Sequence, residues 1–185
     1  MSSSWRHGAA TEKRKSKLNE IAMARIEYQL GDATAPVGKA NKIVCHICND
    51  IGGWGKGFVL AISKHWPQPE ANYRQWHRER KTNDFALGAL QLVKVEADIW
   101  VANMIAQHET ARKGVVSRDA LPPIRYKAVE VALAKLALEA KRLKASIHMP
   151  RIGCGLAGGT WDKIEPIIHR TLCMNEIEVT VYDLV

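Results

Sequence analysis

Two glycine-rich stretches hold the residues best suited by type and spacing to chemistry on a phosphate. One runs Gly153-Cys154-Gly155-Leu156-Ala157-Gly158-Gly159-Thr160, and the other runs Gly52-Gly53-Trp54-Gly55-Lys56-Gly57. Glycines permit turns with positive φ and let a ligand approach the backbone closely. Bare N–H groups at a helix N-terminus, with the helix dipole behind them, hold an anion. Thr160 is placed to cap the helix that follows, and Asp162 suits its first turn. Trp54 is large for a mere turn and reads as the wall of a pocket or the cover of a ribose. Gly153-x-Gly155-x-x-Gly158 also spells the dinucleotide fingerprint, which should open a βαβ unit. Only one more strand is expected after it, so the nicotinamide reading starts poorly. Asp183, at the end of that strand, keeps it open as a ribose-binding acid.

Other side chains near these stretches can act on a bound phosphate ester. Asn49 and Asp50 stand where a strand enters the first glycine stretch. Asn49 can hold ribose hydroxyls and a water, and Asp50 can orient or deprotonate that water. Gln107, His108 and Glu109 follow another strand and are expected at the same rim, where a histidine and a carboxylate allow general acid–base work. Each of these, taken singly, also reads as a polar loop residue. Asp32, just past the first strand, either accepts from an exocyclic amine such as that of adenine or acts as a turn residue. Arg151 pairs with phosphate or with a carboxylate at the edge of the core. Tyr182 stacks on a base or packs in the sheet.

Cys45-His-Ile-Cys48 has the look of a metal or redox motif. On a strand, however, residues i and i+3 point to opposite faces, so the two thiols cannot share one ion. No metal and no cofactor are expected. Neither a Gly-x-Ser-x-Gly elbow nor a phosphate-loop Gly-Lys-Ser/Thr occurs, which leaves covalent serine catalysis and ATP hydrolysis without a motif.

The elements that must position these residues alternate. Arg25 to Leu30 and Lys42 to Cys48 read as strands, the second buried. Gly55 to His65 and Glu70 to Lys81 read as helices. Gly88 to Val95 and Ile99 to Met104 are strands turning at Glu96-Ala-Asp98, and a polar loop from Gln107 to Leu121 follows. Pro122-Pro123 opens a long helix to Lys144, whose apolar residues Val129, Leu133, Leu136 and Leu143 keep a 3.6 period. Ala145 to Met149 is a strand, Trp161 to Cys173 a helix and Glu178 to Tyr182 the last strand. Pro166 lacks an N–H, so a distorted or 3₁₀ first turn is expected in that helix. The order β-β-α-α-β-β-α-β-α-β predicts an α/β fold: a single three-layer α/β/α domain with a mixed central sheet. Ligands in such sheets gather beyond the carboxyl ends of the strands. The two glycine stretches would then face each other and grip both phosphates of a pyrophosphate.

Composition sets outer bounds. A chain of 185 residues with 46% hydrophobic and 25% charged residues suits one globular domain. No apolar run approaches the roughly 18 residues that span a bilayer, and the first residues, Met1-Ser-Ser-Ser-Trp-Arg-His7, have no apolar core. A cytoplasmic location with no membrane partner is therefore expected, with the four cysteines reduced. The net charge of +8 favours anionic partners. Part of it sits in Lys13-Arg-Lys-x-Lys17, within an arm of residues 1–20. That arm reads as a solvated tail, with nucleic-acid contact the lesser option.

At these residues the sequence resembles the macro domain family, which binds ADP-ribose. The resemblance runs from about Ile26 to Leu184, within a domain of residues 21–185. Gly31-Asp32, Cys48-Asn-Asp-x-Gly-Gly-Trp-Gly-Lys-Gly57, Ala106-Gln-His108, Ala145-Ser-x-His-Met-Pro-Arg-Ile-Gly153 and Val181-Tyr182 carry it. The Trp-Gly-x-Gly loop is also similar to that of the yeast-type ADP-ribose-1″-phosphate phosphatases. The resemblance implies that Asp32, with Ala33 beside it, reads the adenine amine. It implies that the two glycine stretches surround the pyrophosphate and distal ribose, and it disfavours nicotinamide. Relatives that release ADP-ribose from glutamate use a lysine after strand four and an aspartate in the second glycine loop. Here the strand reads Ile99-Trp-Val-Ala-Asn-Met-Ile105 and the aspartate position holds Ala157, so that pair does not carry over. The expected function is an ADP-ribose-binding hydrolase acting on ADP-ribosyl esters of acidic side chains or on ADP-ribose-1″-phosphate, with Asn49, Asp50 and His108 as the catalytic residues. The alternative is a non-catalytic reader of ADP-ribose or of ADP-ribosylated proteins.

Overall fold

A computed structural model describes residues 24–110 and 121–184. The basic arm of residues 1–20 lies outside the described residues, as does the part of the polar loop at 111–120. One six-stranded sheet runs in the order β1-β6-β5-β2-β4-β3. Its strands are β1 (Ile26–Leu30), β2 (Asn41–Asn49), β3 (Leu90–Lys94), β4 (Ile99–Gln107), β5 (Ala145–Pro150) and β6 (Val179–Asp183). Every neighbouring pair is parallel except β3 with β4, which the turn at 96–98 joins as a hairpin. The helices are α1 (Phe58–His65), α2 (Gln68–Arg78), α3 (Tyr126–Leu143) and α4 (Trp161–Thr171), with a 3₁₀ turn at Cys173–Asn175.

Strand periodicity divides the core into two layers. On β2 and β4, Ile43, Cys45, Ala102, Met104 and Ala106 pack against α3 and α4. Their alternates Val44, Cys48, Val101 and Ile105 pack with Ile62, Trp66, Tyr73, Trp76 and Phe85 on the side of α1 and α2. Cys45 and Cys48 thus face opposite layers, as i and i+3 on a strand must. Two buried histidines interrupt the apolar pattern. The ring Nε2 of His46 donates to Asn103 Oδ1 (2.6 Å), and Asn103 in turn donates to the Pro69 carbonyl and to Gln91. His148 lies between Ser146 and the Tyr182 hydroxyl. Burial holds both imidazoles neutral, with pKa values lowered from 6.5 to about 4.

The helix starts differ from the sequence expectation. The third helix begins at Tyr126 rather than at Pro122. Residues 122–125 instead form a non-helical strap, with Ile124 bridged antiparallel to Gln107 and Arg125 extended. The Pro123 carbonyl accepts from the His108 N–H, Ile124 donates to the Ala157 carbonyl, and Arg125 donates to the Ala106 carbonyl. A residue before proline is pushed out of the α region, which disfavours helix at 121 and 122, and the three long-range bonds hold 123–125 out of it. The first helix begins at Phe58, not Gly55, because Gly57 sits at φ 79°. At Pro166 the fourth helix stays α-helical. Its first turn carries one i+3 bond, Lys163 N–H to the Thr160 carbonyl, beside the α-type bond from Ile164. Proline at the sixth position removes one internal bond, which the helix tolerates. Among the described residues, no helix is long and apolar enough to cross a membrane.

Candidate functional site

Parallel strands end at one edge, so β1, β6, β5, β2 and β4 deliver their following residues to the same side of the molecule. Asp32, Asp183, Arg151, Asn49 and His108 all arrive there. A bulge between Cys48 and Asn49 shifts the register, so Asn49 pairs with Gln107. Bulges re-aim side chains at strand ends. Asn49 and Gln107 both line a cavity of about 560 Å³ at this edge, with Ile47, Cys48 and Val59. Gly53, Trp54, Gly55 and Lys56 come to it from the first glycine stretch, and Leu156 from the second. The two stretches therefore face each other. Among the described residues that line it, Lys56 is the one charged side chain and none is a carboxylate, which suits an anionic ligand.

The first stretch is built from beneath by side chains. Asn49 Oδ1 accepts from the N–H groups of Ile51 (3.2 Å) and Gly53 (2.8 Å), and Asn49 Nδ2 donates to the Gly53 carbonyl (2.6 Å). The Tyr73 hydroxyl contacts both the Asn49 carbonyl and Oδ1. Asn49 is thus committed largely to holding the loop. Trp54 is buried, and its indole N–H donates to Ser63, whose hydroxyl donates to Glu70. Arg74 donates to Glu70 and to the Trp54 carbonyl. Gly52 is packed directly against the His77 ring. Tyr73, Arg74, Ser63 and Glu70 were not legible as site residues. They lie on α1 and α2, and no local spacing links them to the loop they fix.

The second stretch folds on itself. The Gly159 N–H donates to the Gly153 carbonyl (2.8 Å), and Gly158 donates to the Gly155 carbonyl (2.9 Å). A Cβ at Gly159 would lie 2.6 Å from the Gly153 oxygen, so that position needs its glycine. Cys154 is partly buried, and burial pushes its thiol pKa up. Ala157 is buried. Thr160 occupies the N-cap of α4 but makes no side-chain cap bond; its N–H donates to the Tyr126 hydroxyl instead. The N-cap of α1, Gly57, also lacks a side-chain cap, so neither helix has its leading N–H groups closed off by its own cap. Gly55 and Gly155 differ from the other loop glycines. A Cβ at either meets nothing within 4 Å, and neither has the positive φ that would demand glycine.

Asp50 and His108 meet one residue beyond the lining pair. Asp50 Oδ2 lies 2.6 Å from His108 Nδ1, and Oδ1 accepts from the Glu109 N–H (2.8 Å). A carboxylate accepting from Nδ1–H leaves the lone pair on Nε2 of a neutral imidazole. On the opposite flank, Asp32 Oδ1 accepts from both the N–H and the hydroxyl of Thr34 (2.8 Å each) in an Asx-type turn above buried Ala33. Among the described residues nothing bonds to Oδ2, so the turn role and an amine contact are compatible. Tyr182 is buried, with its hydroxyl between His148 and the Val37 N–H (3.4 Å), so it shapes the Asp32 loop from below. Arg151 is held by Asp183 through two bonds, Nε to Oδ1 (2.6 Å) and Nη2 to Oδ2 (2.7 Å). That pairing lowers the carboxyl pKa of Asp183 and occupies the acid that a nicotinamide dinucleotide would need for its ribose.

No protein-family model matches the sequence. A Bacteroides thetaiotaomicron protein of unknown function is 55% identical and superimposes with a TM-score of 0.82, covering 87% of this chain and 99% of that one. A macrodomain protein from Streptomyces coelicolor is also 55% identical, with a TM-score of 0.75 over 86% of this chain and 99% of that one. The chromodomain-helicase-DNA-binding protein 1-like of Mus musculus is 31% identical over 88% of this chain, which spans only 18% of that relative's length. An ADP-ribose 1″-phosphate phosphatase of Meyerozyma guilliermondii is 24% identical, covering 86% of this chain and 99% of that enzyme. More than half the aligned residues are shared with the Streptomyces protein along nearly its whole length, and on that identity this chain belongs to the macrodomain family.

Proposed function

We propose that this macrodomain binds ADP-ribose across the carboxyl edge of its sheet and hydrolyses a bond at the distal ribose. One observation carries the binding half. Gly55 and Gly155 are bare where neither backbone strain nor packing requires it. Each leaves room for a ligand on its own side of the cleft, and Lys56 supplies the matching charge. Asp32 takes the adenine amine on Oδ2, the facing loops take the pyrophosphate, and the 560 Å³ cavity takes the distal ribose.

The catalytic half rests on Asp50 and His108. Asp50 orients the imidazole, and Nε2 of His108 takes the proton from a water that attacks at C1″ or at a 1″-phosphorus. A carboxylate leaves C1″ as the anion, whereas the 1″-oxygen leaving phosphorus takes a proton from solvent to become the ribose hydroxyl, and His108 then releases its proton to solvent. The yeast phosphatase, matched over nearly its whole length, is consistent with such a reaction. A non-catalytic reader is the second reading, favoured by Ala157 and by a β4 without lysine.

Calorimetry and single-turnover assays decide between them. ADP-ribose should bind far better than AMP or NAD; equal affinity for NAD removes the clamp. Release should be seen from ADP-ribosylated glutamate or from ADP-ribose-1″-phosphate. His108→Ala should cut turnover by about 10²–10⁴-fold while ADP-ribose affinity holds. Tight binding by the wild type with no release from either substrate makes the protein a reader.

A further inference from the structure

Arg151 touches more of the binding edge than a phosphate ligand would need. Its main chain opens the second glycine stretch, the Arg151 carbonyl accepting from the Cys154 N–H (3.2 Å). Its guanidinium lies 5.2 Å from the Tyr28 ring centroid and 5.1 Å from that of Trp161, the first residue of α4 after the same stretch. Trp161 closes the cluster by donating its indole N–H to the Tyr28 hydroxyl (3.1 Å), which also bonds Glu165. Asp183 grips the guanidinium at both oxygens, and the Asp183 carbonyl accepts from the Gly31 N–H (2.9 Å), one residue before Asp32. A single ion pair therefore joins the start of the phosphate loop, its end and the root of the adenine loop.

We infer that the Arg151–Asp183 pair is a positioning device that sets the spacing between the Asp32 carboxylate and the second glycine loop, and so governs discrimination of the ligand's base. This inference rests on the proposed ADP-ribose site. A planar guanidinium bonded at two points and flanked by two rings fixes direction as well as distance. A lysine keeps the charge but loses the fork and the stacked plane. Asp32 is the exposed residue of a turn whose next two residues, Ala33 and Thr34, are buried, so the alignment of its carboxylate with an amine several ångströms from the phosphates depends on what anchors that turn.

The test compares ADP-ribose with its inosine analogue, which presents a carbonyl where adenine has its amine. Affinities for both are measured by calorimetry on the wild type, Arg151→Lys and Asp183→Asn, with thermal midpoints alongside. The wild type should prefer ADP-ribose by about tenfold or more, the scale of one hydrogen bond to a charged group. Both variants should lose most of that preference while still binding the inosine analogue to within a few-fold. If both variants keep the wild-type ratio, the inference is overturned, whether the pair proves merely stabilising (midpoints fall, ratio unchanged) or Arg151 proves a direct phosphate contact (both ligands weaken equally). A wild type that binds neither ligand refutes the proposed site and this inference with it. A wild type that binds both equally refutes the inference and the role of Asp32, but leaves the clamp standing.

Discussion

Substitution at Gly155 tests folding and the proposed binding separately. A methyl group there meets no protein atom within 4 Å, and the backbone is not in the left-handed region. Gly155→Ala should therefore leave the thermal midpoint unchanged or slightly higher, since alanine restricts the unfolded chain by about 0.4–1 kcal/mol. If the proposed site is right, the same change should weaken ADP-ribose measurably, and Gly155→Glu should abolish binding by putting a carboxylate where that site takes the pyrophosphate. An unchanged affinity in Gly155→Ala would place the ligand elsewhere. His46 and His148 supply a second test at this scale. Both are neutral in the fold, with pKa values near 4 against 6.5 when unfolded. Between these values the unfolded chain binds protons that the folded chain refuses. Their contribution is full above about pH 6.5, declines as pH falls and levels off below about pH 4. The loss is about 1.4 kcal/mol per pH unit for each histidine. Urea titrations across that window check it, and replacing His148 with a neutral residue should flatten the slope. In the sequence these histidines looked like any others on strands, because their burial is set by partners such as Asn103, 57 positions from His46.

Segments were legible from the sequence where punctuation and period agreed. The second strand, the β3–β4 hairpin and the helix after the second glycine stretch each have a clear signal, and they stand within a few residues of where periodicity puts them. Pro122-Pro123 misled, because proline suits a helix start and a non-helical strap equally well. What decided between them was distant: the main chain of 123–125 bonds to His108, Ala106 and Ala157. The strap thereby ties the rim histidine to the second glycine stretch. Ile124 fills the space under that stretch, its Cδ1 2.9 Å from where a Gly153 Cβ would stand. Ile124→Ala should cost about 2–4 kcal/mol in denaturant melts through the cavity it leaves. It should weaken ADP-ribose beyond what lost stability explains; a stability loss with wild-type affinity would show that the strap does not hold the loop.

The whole molecule was legible as one mixed sheet between helical layers, but the strand order was not. Sequential strands β1 and β2 are separated by β6 and β5, which come last in the chain. Only long-range pairing decides that, and no local pattern reports it. The facing of the two glycine stretches followed from the parallel sheet, whereas the side-chain scaffold of the first stretch did not. The basic arm belongs to this scale, because a tail of net positive charge acts through the field of the entire surface. Deleting residues 1–17 should leave ADP-ribose affinity intact, and a large loss would show that the arm contributes to the site. If the arm contacts nucleic acid, the deletion should also flatten the salt dependence of DNA binding. The two-layered core has a further effect. The first glycine stretch is anchored to the layer of α1 and α2, through Tyr73, Arg74 and Trp54, and the second to the layer of α3 and α4, through Ile124 and Ile164. A ligand gripped by both stretches is a cross-brace between layers packed on opposite faces of the sheet. Amide exchange in α2 and α4 should slow together when ADP-ribose is bound, and the two layers should open as a single cooperative unit.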